Sequence, residues 1–180
     1  LNFFEIKKSL HCPSDVDILE FVDTLPITEQ AEAIAKIIDF EMKDAHSSQL
    51  LEGTREILAV LSSLKLPCAI VTRNCQQAAA VKLVNNNINI ALVLTREDYK
   101  AKPAPDALLH IANVWQLPPQ NLLYVGDYLY DVQAAKNANM HSCLLTFGEK
   151  LPYADLATYV AEDLSVVSKA MTMALQQKKE

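Results

Sequence analysis

The sequence predicts an α/β fold in which a parallel sheet carries helices on both faces and a small helical unit precedes it. Three observations lead to this prediction. Residues 1–50 contain helical patterns without a convincing strand. From Leu51 onward, short apolar runs alternate with helical segments, which is typical of βαβ units. The length of 180 residues, with 51% hydrophobic residues, suits one buried core carrying at most a small insertion.

Two prolines separate the helical patterns of residues 1–50. Segments 3–11 and 15–24 are expected to be short helices, with Pro13 and Pro26 as breaks between them. The run after Pro26 predicts a longer helix, because apolar residues recur there at helical spacing. The apolar face of this helix is expected to contain Ala31, Ile34, Ala35, Ile38, Met42 and Ala45.

A break at Gly53 marks the start of the α/β region, with Thr54 as the expected N-cap of a helix over 55–64. Strands and helices then alternate, which predicts a parallel sheet with helices on both faces. The predicted strands cover 68–71, 88–94, 122–125, 142–145 and 159–160. The predicted helices cover 76–84, 106–115, 132–138 and 164–175, and a charged tail follows the last of them.

Composition excludes several classes of partner. The 22 acidic residues exceed the 16 basic ones, the formal charge is -6, and the basic residues form no long cluster, so a nucleic acid partner is not expected. No apolar stretch approaches the ~20 residues needed to span a bilayer, so a membrane partner is not expected either. The 4 cysteines show no CxxC spacing, which favours reduced thiols in a cytoplasmic protein.

Polar residues follow the first predicted strand, at the end of a sheet where α/β proteins bind ligands. Thr72, Arg73 and Asn74 supply a hydroxyl, a guanidinium and an amide before a predicted helix. Free N–H groups at a helix N-terminus favour an anion, and the Thr72 hydroxyl could donate a further hydrogen bond to it. The alternative is structural, with Thr72 as an ordinary strand residue and Asn74 as an N-cap. Both interpretations remain open at this point.

A second set of polar residues follows the strand over 122–125. If the segment after Gly126 is helical, Asp127 and Asp131 lie on one face roughly 6 Å apart and could share a divalent cation. Gly126 supports a functional interpretation, because it stands where the backbone must pass closely or turn sharply. The alternative makes Asp131 a favourable charge at a helix N-terminus and Asp127 a turn former.

Lys102 is the third candidate, on a loop that Pro103 and Pro105 stiffen before the helix over 106–115. A lysine held in this way is a suitable counter-charge for a phosphate group, although an exposed lysine can also be merely solvated. Taken together, the hydroxyl, the lysine and the paired carboxylates suit a metal-bound phosphate at one edge of the sheet.

Three segments resemble, in order and spacing, motifs two, three and four of the haloacid dehalogenase-like (HAD) hydrolases. They are Val71 to Asn74, Lys102 to Asp106, and Val125 to Asp127 with Asp131. The turn at Gly53, with the helix after it, resembles the re-entry into the core after a cap in the phosphoglycolate-phosphatase-like branch. The resemblance implies a Rossmann-like core over residues 51–180 and a small helical cap over residues 1–50.

The resemblance also implies an activity, namely that of a Mg²⁺-dependent phosphatase. In this family an aspartate nucleophile attacks a small phosphorylated substrate, and a phospho-aspartyl intermediate is hydrolysed. Thr72 would bind the transferring phosphoryl group, and Lys102 would neutralise it and hold the nucleophile. Asp127 would bind Mg²⁺ directly and Asp131 would support it. These assignments agree with the need of phosphoryl transfer for positioning and charge neutralisation.

Motif one of the family, which has the form Asp-x-Asp-Gly-Thr and supplies the nucleophile, is missing from these 180 residues. Asp15 to Asp17 is the nearest imitation, but it has neither a preceding strand nor a following Gly-Thr. In the family this strand lies between the strands that end here at Thr72 and Asp127. We therefore expect roughly 15–30 further residues upstream of Leu1, which carry that strand and the nucleophile. The 180 residues alone are expected to be inactive.

Two points stay open at the level of the sequence. Arg73 stands where the family often has a plain Asn after the Thr, so either Arg73 or Asn74 could touch substrate. An alternative function is a non-catalytic HAD-fold protein that binds or regulates and has lost the nucleophile. An upstream segment without the aspartates would favour that alternative.

Overall fold

The computed structural model describes residues 1–177, and for residues 1–174 it also describes the surroundings of the side chains. The chain forms two compact units. One unit comprises Leu1–Gln49 with Asn74–Asn89, and the other comprises Leu50–Arg73 with the chain from Ile90 onward. The charged tail expected after the last helix lies outside the described residues.

The order of elements confirms the predicted α/β class. The helices are α1 (Phe3–Leu10), α2 (Ile18–Thr24), α3 (Ile27–His46), α4 (Thr54–Ser63), α5 (Gln76–Asn85), α6 (Asp106–Trp115), α7 (Leu129–Asn137) and α8 (Leu164–Gln177). The strands are β1 (Ala69–Val71), β2 (Leu92–Leu94), β3 (Leu123–Gly126), β4 (His141–Leu145) and β5 (Tyr159–Ala161). Within residues 1–177, no helix combines the length and apolar character needed to cross a bilayer.

In the first unit, helix α2 starts later than the sequence predicts because Asp17 caps it. The Asp17 carboxylate accepts hydrogen bonds from the backbone N–H groups of Leu19 at 3.0 Å and Glu20 at 3.3 Å. This satisfies donors that have no partner within the helix. Apolar side chains of α1, α2 and α3 form the core of this unit, and the buried ones include Ile6, Leu10, Ile18, Val22, Ala33 and Ile37.

The predicted apolar face of α3 is wrong in part. Ala31 and Ala35 are exposed, and the buried stripe is Ala33, Ile37, Glu41 and Ala45. The physical reason is that α3 packs on α1 and α2 on one side and on α5 on another, so three helices together determine which residues of α3 are buried. Alanine is small enough to remain in water at little cost, and it therefore marks a buried face poorly.

Helix α5 packs on α3 within the first unit, and the buried Glu41 fixes its first turn. The Glu41 carboxylate accepts a hydrogen bond of 2.9 Å from the backbone N–H of Cys75. Cys75, and not Asn74, is the N-cap of α5, and its Sγ accepts from the N–H of Ala78 at 3.4 Å. The N-cap predicted at Asn74 is therefore wrong. The division into a cap of 1–50 and a core of 51–180 stays a prediction.

The strands of the second unit pair in parallel, as the sequence predicts. Strand β1 pairs with β2, and β3, β4 and β5 follow one another in that order. Among the described residues these are two separate hydrogen-bonded groups. Strand β2 begins at Leu92 and not at Ile88, because Asn87 adopts a left-handed conformation with φ 52° just after α5. The N–H of Ile88 then bonds the carbonyl of Leu83 and closes the helix end.

Small residues bring the helices of the second unit close to their neighbours. Ala134 and Ala135 of α7, and Ala138 directly after it, are fully or almost fully buried. Gly53, with φ 80°, is the N-cap of α4, and a Cβ there would overlap the backbone of α8 at Leu164 and Ser165. The break expected at Gly53 is present, but the N-cap predicted at Thr54 is wrong.

Candidate active site

Three loops at the carboxyl ends of parallel strands carry the predicted site residues of the second unit. Thr72 follows β1, Lys102 lies between β2 and α6, and Asp127 follows β3. Thr72 is half-buried, and its backbone N–H continues the pairing of β1 with β2 by donating to the Leu94 carbonyl at 2.9 Å. The placement agrees with the rule that open α/β sheets bind ligands beyond the carboxyl ends of their strands.

Lys102 is held in a largely buried cluster and is not a solvated surface lysine. Its Nζ lies 2.5 Å from Asp131 Oδ1 and donates to the Tyr124 hydroxyl at 2.8 Å. The side chains of Lys102 and Asp131 are only 12% and 8% exposed. The same ammonium group lies 3.5 Å from the Val71 carbonyl, at the end of the strand that precedes Thr72. The structure therefore brings motif three, motif four and the end of β1 together.

Asp131 closes the turn between β3 and α7. Its Oδ2 accepts hydrogen bonds from the backbone N–H of Asp127 at 3.2 Å and of Tyr128 at 3.0 Å. Helix α7 begins at Leu129, so Asp127 lies before the helix, and the two carboxylates are not on one helical face. The predicted shared face is wrong because Asp131 turns back to cap the helix, as the structural interpretation of this residue anticipates.

Gly126 is required by the close approach of Asp131. A Cβ at position 126 would overlap Cβ and Cγ of Asp131. A residue with a side chain would push the Asp131 carboxylate away from the turn that it closes. The glycine that the sequence singles out therefore serves a sterically crowded turn, and its φ is not positive.

Asp127 is the candidate carboxylate that faces solvent. The residue as a whole is exposed, but the protein around its carboxyl group removes enough water to raise the pKa, and the Asp131 charge raises it further. Lys102 and the local backbone act in the opposite direction, and the pKa nevertheless stays above its ordinary value. A nearby cation would relieve this unfavourable concentration of negative charge.

Tyr124 is a site residue that sequence reasoning missed. Its hydroxyl lies 3.2 Å from Asp131 Oδ1 and 3.3 Å from the Val71 carbonyl, within hydrogen-bonding distance of both. Burial raises the pKa of Tyr124 well above its ordinary value, and Asp131 adds to the rise, so the hydroxyl stays protonated. The signal in the sequence was a hydroxyl group in an apolar strand, two residues before a Gly-Asp pair.

The residues after Thr72 fall into different surroundings. The Arg73 carbonyl accepts a hydrogen bond of 2.7 Å from Arg96 Nη1, and the Arg73 guanidinium lies over the ring of Tyr130 at 4.8 Å. Asn74 belongs to the first unit, where it precedes the N-cap of α5. Arg73 thus shares a compact unit with Lys102 and Asp127.

The carboxylate ligands at this edge of the sheet, Asp127 and Asp131, fit Mg²⁺. Magnesium is typically held by one or two carboxylates, with waters and substrate phosphate completing its shell. Asp127 is an exposed residue whose carboxyl group has a raised pKa, and it lies beside Asp131. Within residues 1–177 there is no cluster of three or more acidic, histidine or cysteine ligands, so these two carboxylates are all that this part of the chain offers there.

Comparison with known proteins agrees with the geometry. The family described as Haloacid dehalogenase-like hydrolase matches residues 4–145. A haloacid dehalogenase-like hydrolase domain-containing protein of Arabidopsis thaliana is 34% identical over 134 residues, covering 74% of this chain and 55% of the relative. The phosphoglycolate phosphatase of Escherichia coli K12 is 31% identical over 131 residues, covering 70% and 52%. The chain therefore spans about half the length of these two relatives.

Other relatives match over a larger share of their length. An uncharacterized hydrolase of Saccharomyces cerevisiae is 32% identical over 162 residues, covering 84% of this chain and 74% of the relative. Among solved structures, a hydrolase from Pseudomonas syringae has a TM-score of 0.80 at 19% identity, covering 94% of this chain and 88% of that one. This structural likeness shows a common fold. The resemblance found in the sequence is confirmed, and the chain belongs to the haloacid dehalogenase-like hydrolase family.

Proposed function

We propose that the whole protein is a Mg²⁺-dependent cytoplasmic phosphatase that hydrolyses a small phosphomonoester through a phospho-aspartyl intermediate. One observation carries the proposal: the Lys102 ammonium lies between Asp131 and the end of β1, next to the exposed Asp127 turn. A cation and carboxylates at the same sheet edge provide what phosphoryl transfer needs from a protein, namely positioning and charge neutralisation.

Each candidate residue has a defined part in this proposal. Thr72 donates a hydrogen bond to the transferring phosphoryl group, and Lys102 offsets the charge of that group. Asp127 is the direct magnesium ligand, because it is an exposed residue, while the carboxylate of Asp131 is engaged by Lys102 and the turn. When bound, Mg²⁺ supplies electrostatic stabilisation of the phosphoryl oxygens. Arg73 is a second candidate for contact with the substrate.

The proposed nucleophile is an aspartate upstream of Leu1. Two observations support this part of the proposal. The sequence contains no Asp-x-Asp-Gly-Thr segment, and β1 and β3 lie in separate hydrogen-bonded groups of the described residues. A further parallel strand between them would satisfy backbone groups at both edges. It would also end beside Lys102 and Asp127, where an attacking carboxylate is needed.

The test is phosphate release from an aryl phosphate by the full-length natural protein, with and without Mg²⁺. Asp127→Asn should lower kcat about 100-fold or more, because it removes a charge that stabilises the transition state. The matched control is Asp155→Asn, which removes an exposed carboxylate from the 3₁₀ turn before β5. Undiminished, Mg²⁺-independent activity of the Asp127 variant would disprove the metal assignment. An inactive full-length protein would favour the non-catalytic alternative.

A further inference from the structure

Three tyrosines and one arginine form an aromatic cluster beside the Asp127 turn, and all of them lie in the second unit. The rings of Tyr128 and Tyr130 have centroids 5.2 Å apart in an edge-to-face arrangement, and those of Tyr128 and Tyr153 are 6.2 Å apart. The Arg73 guanidinium covers Tyr130 at 4.8 Å. Such pairs have preferred geometries and orient one another. We call Arg73, Tyr128, Tyr130 and Tyr153 the aromatic wall.

The wall is joined to the phosphate end of the site by the chain itself. Tyr128 follows Asp127 directly, and its backbone N–H is held by Asp131 at 3.0 Å. Arg73 follows Thr72 directly at the end of β1. The residues that would bind the phosphoryl group and the residues of the wall are therefore sequence neighbours at two separate points.

Packing of the protein core does not explain Tyr128. The residue is 54% exposed and lies outside the buried apolar clusters of the described residues. A large aromatic side chain at the first position after a Gly-Asp turn presents apolar surface to water beside a polar site. An aromatic ring of the substrate would cover that surface and stack on it.

We propose that the substrate is a phosphomonoester whose leaving group carries a planar aromatic ring, and that Tyr128 stacks against this ring. The proposal rests on the phosphatase function given above and specifies the substrate class of the same site. A nucleoside monophosphate and a simple aryl phosphate share this chemistry. A small aliphatic phosphoester would leave the exposed part of the Tyr128 ring in water.

The test compares specificity constants of the full-length protein and its variants. The substrates are adenosine 5′-monophosphate, phenyl phosphate and, as the aliphatic reference, glycerol 3-phosphate. Tyr128→Leu should lower kcat/KM for the aromatic substrates, relative to the reference, by about 10-fold, because the ring of the substrate loses one stacking partner. Tyr128→Phe keeps the ring and should stay within about twofold of the natural protein by the same reasoning.

The matched control is Tyr159→Leu on β5, because Tyr159 is 56% exposed and lies outside the wall. This change should not alter the ratio of kcat/KM for the aromatic substrates to kcat/KM for glycerol 3-phosphate. Equal loss on all three substrates in Tyr128→Leu, or no change in the ratio, would overturn the assignment. If Tyr128→Leu lowers kcat/KM relative to glycerol 3-phosphate for adenosine 5′-monophosphate alone, the substrate is a nucleoside monophosphate. If it lowers this ratio for both aromatic esters, the site accepts aryl phosphates in general.

A binding measurement separates this proposal from the phosphatase function. Calorimetric titration with adenosine 5′-monophosphate and with ribose 5-phosphate compares ligands that differ only in the base. The natural protein should bind the first about 10-fold more tightly, and Tyr128→Leu should abolish the difference. No phosphate release from any ester, together with this preference in binding, would refute the phosphatase and retain the aromatic site. Equal affinity for both ligands would refute the aromatic site.

Discussion

Lys102 Nζ and Asp131 Oδ1 lie 2.5 Å apart in side chains that are 12% and 8% exposed. Two charges removed from water to this degree depend on each other, since each loses hydration that the opposite charge helps to replace. The Tyr124 hydroxyl completes the cluster. The pair therefore links the loop of motif three to the turn of motif four, and its loss should affect both folding and activity.

Lys102→Met is expected to lower the free energy of unfolding by about 3 kcal/mol, because it leaves the Asp131 charge buried without its cation. Urea denaturation monitored by circular dichroism would measure the change. The control is Lys100→Met, two residues away on the same loop and exposed. That variant should stay within about 0.5 kcal/mol of the natural protein. Equal stability of the two variants would show that the ion pair contributes nothing.

Gly126→Ala should displace the Asp131 carboxylate, because the new methyl group would overlap Cβ and Cγ of Asp131. We expect a loss of about 1–3 kcal/mol of stability from overpacking. Hydrogen exchange supplies a local readout, since Asp131 accepts from the N–H groups of Asp127 and Tyr128. Both amides should exchange faster in the variant. Unchanged protection of these two amides would contradict the steric role of Gly126.

Gly53→Ala should be more destabilising than Gly148→Ala, although both glycines have φ 80°. A methyl group at position 53 would overlap the backbone of Leu164 and Ser165, whereas at position 148 it would meet only Glu162 Oε1 at 3.7 Å. The cost of positive φ is common to both variants, so the difference isolates the overlap and should be about 2 kcal/mol. Thermal unfolding of both variants would measure it. Equal melting temperatures would refute the close approach of α4 and α8.

The pKa of Asp98 should lie below its ordinary value, because the backbone N–H and the hydroxyl of Thr95 both donate to Asp98 Oδ2 at 2.8 Å. The pKa of Asp98 is lower in the folded state than in the unfolded state. The ionised carboxylate therefore stabilises the folded protein fully above the unfolded-state pKa of about 3.9, and this stabilisation is lost as the pH falls through the folded-state pKa. Thr95→Val removes the hydroxyl donor, so the pKa should rise part of the way back. An NMR titration of the carboxyl carbon measures it.

The control for this titration is Thr24→Val, which removes a hydroxyl in the first unit that bonds the Phe21 carbonyl. The Asp98 titration should be the same in that variant as in the natural protein. A Thr95→Val protein in which Asp98 titrates as before would show that the side-chain hydrogen bond contributes nothing to the shift.

The sequence is most informative where one local pattern decides the outcome. Helix α6 spans Asp106–Trp115 as predicted, since Pro105 precedes it and apolar residues recur along it. The alternation of strands and helices predicted the parallel sheet for the same reason. Asn139 follows α7 with φ 58°, a left-handed conformation that asparagine adopts more readily than most residues.

Predictions from the sequence are wrong where tertiary contacts, and not the local pattern, determine the structure. The buried face of α3 is set by helices on two of its sides, which no periodicity within α3 records. From the sequence, Asp131 could form a helical carboxylate pair with Asp127 or be a favourable charge at a helix N-terminus. In the structure it lies in the first turn of α7 and accepts hydrogen bonds from the backbone of Asp127 and Tyr128, which no local pattern predicts. Tyr124 resembled any strand aromatic, because a hydroxyl bonded across 53 residues to Val71 leaves no local mark. For the candidate site, the sequence allowed the residue types to be predicted, but not which side chains and backbone groups contact one another.

The Val71 carbonyl lies 3.3 Å from the Tyr124 hydroxyl and 3.5 Å from Lys102 Nζ. At this point the strand that leads to Thr72 is linked to the strand that leads to Asp127 by side chains of fixed length. These side chains act as a spacer, so the width of the opening between the two strand ends depends on the size of the residue at position 124. Exchange of Tyr124 for a smaller residue would therefore change that width while every residue assigned to the substrate or the metal stays the same.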